Sequence, residues 1–179
     1  FKPRKMNFLV ALCIIIMNHL IIYDFDKTKN PNDWLIVDDV VMGGISSSGI
    51  TINKNGNGVF SGHVSIENNG GFSSVRHQFK STDISDYRCF IIRIKGDGKK
   101  YQFRVKSNLN EYHSYKHEFI TDGSWQMIEI PFNKLKATFR GRMLNIPSFS
   151  NSFLEEIGFL IANKIEEDFE LKIDYVKVS

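Results

Sequence analysis

The chain has 179 residues, 42% of them apolar and 13% aromatic, which suits one domain around one sizeable core. Its formal charge of +3 comes from Lys2, Arg4 and Lys5, because no acid precedes Asp24 and the rest of the chain is balanced. A balanced body exerts no general pull on a phosphate backbone, which removes the simplest case for nucleic-acid binding. The composition is also not disordered, collagen-like or coiled-coil.

Residues 1–20, FKPRKMNFLVALCIIIMNHL, read as a basic flank, an apolar run from Phe8 to Met17, and a polar break. Ten apolar residues cannot cross a bilayer core of about 30 Å as a helix. They suit the apolar centre of a secretory signal, so residues 1–20 are expected to be a leader and the protein to be exported, to a bacterial periplasm or outside the cell. The alternative is a buried first strand with a ragged extension. Cys13 falls in that segment, which leaves Cys89 alone in an apolar run, an arrangement typical of inert packing.

From residue 21 the pattern repeats every two residues. Segments 59–66, 101–106, 125–130 and 169–174 alternate apolar and polar side chains, as half-buried strands do. Segments 89–94 and 157–162 are more continuously apolar and are expected as central strands. Glycine- and asparagine-rich breaks at 55–58, 68–71, 96–98 and 122–123 supply the turns. Only 132–137 and 152–156 could make a turn or two of helix. The expected fold is all-β, a single antiparallel sandwich of residues 21–179.

Candidate chemistry is thin. Gly44-Ile-Ser46-Ser-Ser48-Gly49 lacks the second glycine spacing of a nucleophile elbow and leads into a strand, not a helix. The glycines of 56–62 and 96–98 also lead into strands, so they are turns and not phosphate cradles. His113 and His117 on one strand would stand about 13 Å apart, too far to share an ion. Asp24, Asp26, Asp38, Asp39 and Asp97 at strand ends could gather around a structural Ca²⁺, although solvated or turn-capping acids are the favoured reading, and no cofactor is expected. Asp38 and Asp39 cannot flank one glycosidic bond, because neighbours on a strand face opposite ways. Trp34, Tyr101, Tyr112, Tyr115 and Trp125 could supply a sugar platform, but aromatics at period two are more often core.

The stretch Val37-Asp38-Asp39-Val40-Val41-Met42-Gly43-Gly44-Ile45-Ser46, preceded by Trp34, resembles the signature of the complex I intermediate-associated protein 30 family. The likeness continues through Phe60–Ser65, Asn68–Arg76, Gly96–Val105, Trp125–Phe132, Phe139–Gly141, Ile157–Ile161 and Phe169–Val176. This resemblance implies a galactose-binding-like jelly roll without catalysis. The best-known members are mitochondrial assembly factors that hold intermediates of NADH:ubiquinone oxidoreductase, so a protein partner is implied. The leader, rich in Ile, Leu, Met and Lys, nevertheless points to export.

The expected roles at the signature are a corner allowed by Gly43 and Gly44, an apolar gap filled by Met42, and amides bonded by Asp38 or Asp39. With Ser46, Trp34, Asp97 and Tyr101, these residues are the candidate recognition rim, joined by Arg76, Arg104 and Arg140 as an anion- or partner-binding face. The competing expectation is an exported carbohydrate-binding module that holds a glycan through Trp34 or Tyr101.

Overall fold

The computed structural model describes residues 18–179. The proposed leader therefore lies almost wholly outside the described residues. In chain order the elements are β1 (Leu20–Asp24), a one-turn helix α1 (Phe25–Thr28), β2 (Trp34–Asp38), β3 (Ser47–Ile52), β4 (Gly58–Val64) and β5 (Ser73–Asp83). There follow β6 (Cys89–Lys95), β7 (Lys100–Lys106), β8 (Ser114–Ile120), β9 (Trp125–Pro131), β10 (Lys136–Phe139), β11 (Arg142–Met143), β12 (Phe153–Ile161) and β13 (Glu167–Val178). Among the described residues no helix is long and apolar enough to cross a membrane.

Every strand pair is antiparallel, and the strands form two sheets. One has the order β3-β4-β13-β6-β9, with β1 also paired to β13; the other runs β11-β10-β8-β7-β12-β5-β2. The period-two segments become strands because alternation gives each one an apolar face to bury against the opposite layer. Phe90 of β6 meets Phe103 of β7 across the layers with ring centroids 5.2 Å apart, and within one sheet Phe60 of β4 meets Phe169 of β13 at 4.8 Å. Tyr101, Phe159, Ile92 and Leu171 complete a continuous core. The expected all-β sandwich is the observed one, and each of the four expected turns carries a glycine at positive φ.

Two local expectations change. Residues 152–156 are not helical: β12 begins at Phe153, pairs with both β5 and β7, and takes up its irregular pattern in a register shift between Leu154 and Glu156. Of residues 132–137, only Phe132–Lys134 form a 3-10 turn, and β10 starts at Lys136. In both places pairing with distant strands outweighs a weak local preference. Leu20, the last residue of the proposed leader, pairs with Val178 in β1.

Candidate functional site

The signature lies where the two sheets meet at an open edge. β2 is the last strand of one sheet, β3 the last of the other, and residues 39–46 connect them. Asp38 spans this junction: its carboxylate accepts from the Ser48 amide at 2.9 Å and the Ser48 hydroxyl at 2.6 Å. Asp39 is fully buried. Its oxygens accept from the Ser46 amide at 2.9 Å, the Ser46 hydroxyl at 2.5 Å, the Gly71 amide at 2.6 Å and the Phe72 amide at 3.3 Å. Burial alone would raise this carboxyl's pKa. The Ser46 hydroxyl and the Gly71, Ser46 and Phe72 amides outweigh it and hold the group below the ordinary carboxylate range.

The glycines follow from this clip. A Cβ on Gly44 would lie 2.3 Å from Asp39 Oδ1, and one on Gly70 would lie 2.5 Å from Oδ2, so a side chain at either would displace the carboxylate. Gly43 closes the 3-10 turn Asp39–Met42 at φ +92°, a conformation that side chains disfavour. The two aspartates and Ser46 therefore close the sandwich edge, and Asp39 and Ser46 are buried within it.

Met42 departs from expectation. It fills no gap but is 59% exposed, beside Val41 at 73%, and Val40 and Ile45 are exposed with them. Four apolar side chains thus project from a turn fixed from beneath by Asp39.

The aromatic candidates are also reassigned. Trp34 and Tyr101 are buried in the core, where Trp34 stacks on Phe25 at 5.3 Å and the Tyr101 hydroxyl donates to Asp97 at 2.8 Å. Neither can present a face to a sugar, because strand alternation points both inward. Asp97 also accepts from the Glu170 amide at 3.0 Å and pairs with Lys99 at 2.8 Å, which makes it a loop anchor. Asp24 caps α1 through the Lys27 amide at 3.2 Å. The acids considered for Ca²⁺ are thus held by separate partners. Among the described residues no group of three or more His, Cys, Asp or Glu side chains is placed to hold a metal ion.

Two of the three arginines come together. Arg76 of β5 and Arg104 of β7 both stand opposite Gly158 of β12, on the face of the seven-stranded sheet that points away from the core. Arg140 does not join them. It sits at φ +48° in the β10–β11 hairpin near the far edge, its guanidinium 5.3 Å from the Phe139 ring. Nothing along the chain signals the gap at Gly158, or Lys116 and Lys136, which extend the row beyond Arg104. Cross-strand register creates that row, and no local pattern encodes it.

Fold and site together define a galactose-binding-like β-sandwich of jelly-roll type. A model of the complex I intermediate-associated protein 30 family matches residues 23–173, and the chain belongs to that family. Relatives include the probable complex I intermediate-associated protein 30, mitochondrial, of Caenorhabditis elegans, 27% identical over 87% of this chain and 53% of its own length. The mouse complex I intermediate-associated protein 30, mitochondrial, is 22% identical over 92% of this chain and 57% of its own. The chain spans about half the length of these relatives.

Among solved structures, a family 11 carbohydrate-binding module from Clostridium thermocellum, in complex with a β-1,3-1,4-mixed-linked tetrasaccharide, superposes with a TM-score of 0.66. It is 19% identical and matches over 89% of this chain and 94% of that one, a likeness of fold alone. The expectation of export is overturned. It rested on a short apolar run with a basic flank, whereas the folded domain resembles proteins named as mitochondrial along most of its length.

Proposed function

We propose that this protein is a non-catalytic binding module that holds a protein partner during assembly of mitochondrial complex I, and that the exposed turn Val40-Val41-Met42 with Ile45 is its main contact. Family membership supports the biological setting. The observation that carries the contact is the exposure of four apolar side chains on a turn immobilised by a buried, fully bonded carboxylate. Contiguous apolar groups on a rigid support lose little entropy on docking, which is how the few dominant residues of a protein interface act. The glycan reading loses Trp34 and Tyr101, the two rings expected to hold the sugar, because both are core.

The test is capture of complex I subunits from mitochondria by the tagged chain, compared with a Val41→Ser/Met42→Ser variant. Both positions face solvent, so thermal stability should change little, and capture should fall by at least about tenfold. Undiminished capture by a folded variant would remove the turn as the contact.

A further inference from the structure

We infer that the trough between Arg76 and Arg104 receives carboxylate side chains from an acidic segment of a protein partner. It extends the proposed function to a second contact face with its own chemistry. Three observations carry the inference.

The first is the gap. Arg76 and Arg104 flank Gly158 in register, which sets their Cα atoms roughly 10 Å apart at two strand spacings, with no side chain between them. A Cβ on Gly158 would lie 2.7 Å from the Val75 carbonyl, so the position stays empty of side chain. Glu156 and Leu160, two residues to either side on β12, and Gln102 beside Leu160 also point outward yet are buried, so they bound the gap, and the Arg76 stem lies along it, its Cγ 3.4 Å from where a Gly158 Cβ would be.

The second is unspent donors. Arg104 Nε and Nη2 both donate to Gln102 Oε1, at 3.1 and 2.8 Å, which leaves the Nη1 hydrogens free. Among the described residues neither arginine has a carboxylate within ion-pair distance, although other basic side chains on this face do, such as Lys116 with Glu118 at 2.8 Å. Burial, and then the neighbouring Arg76, push the Arg104 pKa down to about 10, so the guanidinium stays charged at neutral pH in a site that disfavours its charge. An incoming carboxylate relieves both effects, and two planar forks suit it.

The third is selectivity. Glu118 and Glu156 temper the positive field, which favours a singly charged carboxylate over a doubly charged phosphate. The outward residues facing the trough from β2, β5, β12, β7 and β8 include no aromatic ring on which a sugar could stack. Half-exposed Leu35 pairs with Arg76, and its strand β2 runs straight into the apolar turn, so one protein partner could engage both.

The experiment is fluorescence anisotropy of the intact chain with labelled hexaglutamate and with hexaglutamine as the neutral control. Hexaglutamate should bind, hexaglutamine should not, and Arg76→Gln or Arg104→Gln should each weaken binding about tenfold. Arg104→Lys, which keeps charge but loses the fork, should recover part of the affinity. The Val41→Ser/Met42→Ser variant should bind hexaglutamate normally, so this inference and the turn contact fail separately. If Arg104→Gln does not fold, Arg76→Gln carries the test. Equal binding of the two peptides, or no loss in a folded Arg76→Gln chain, would overturn it. So would displacement of hexaglutamate by inorganic phosphate or a mixed-linked tetrasaccharide at lower concentration than by glutarate.

Discussion

Asp39 shows how a residue that looks catalytic can be structural. Its two oxygens answer four donors from two segments, and the neighbouring glycines exist to let it fit. Asp39→Asn would turn an amide donor against amide donors, and should cost about 2–4 kcal/mol in denaturant unfolding at pH 7. The same site sets a pH dependence. The folded carboxyl titrates below its unfolded value of about 3.9, so its stabilisation is complete above that pH and is lost as pH falls through the folded value. The Asp39→Asn chain, with nothing there to titrate, should lose stability less steeply below about pH 4. Equal acid slopes in the two chains would show that Asp39 is not the proton-linked group. Cys89 is the inverse case. Burial, then Glu129, raise its thiol pKa. In a Cys13→Ser background its alkylation should need a higher pH in the folded chain than in urea, and coincident pH profiles would disprove that.

At the scale of elements, the edge strands govern what the sandwich can offer. Among the described residues β2 and β3 each have one free edge, and an unprotected edge invites further strand pairing. Asp38 ties them together through Ser48, so Asp38→Ala should cost about 1–2 kcal/mol by loss of two hydrogen bonds. Hydrogen exchange should quicken at β2 and β3 while β7 and β12 stay protected; uniform acceleration would mean that the clip supports the whole sandwich. Strand alternation made β4, β7, β9 and β13 legible in the sequence, because each side chain's face follows from parity. The helical expectation at 152–156 failed because parity is interrupted there by the shift beside Glu156, which only pairing with β5 reveals.

For the whole molecule, one sandwich supports two separable surfaces: an apolar turn at its clipped edge and a basic trough on one sheet. Most pairings join residues far apart in sequence, as β1 with β13 and β5 with β12 do, so folding should be slow for the chain's size, on the order of milliseconds to seconds. Refolding monitored by Trp fluorescence checks this, and a microsecond phase of full amplitude would contradict it. The sequence by itself determined the sandwich, its turns, its family and the expectation that Asp38 or Asp39 bonds neighbouring amides, because alternation, glycine punctuation and a short polar motif act within a few residues. Only the tertiary structure decided that Trp34 and Tyr101 are core, that Met42 faces solvent, and that Arg76 and Arg104 meet across Gly158 while Arg140 stands apart. Those outcomes depend on which strands lie side by side and in what register, and that is fixed by packing across the two layers rather than by any neighbour along the chain.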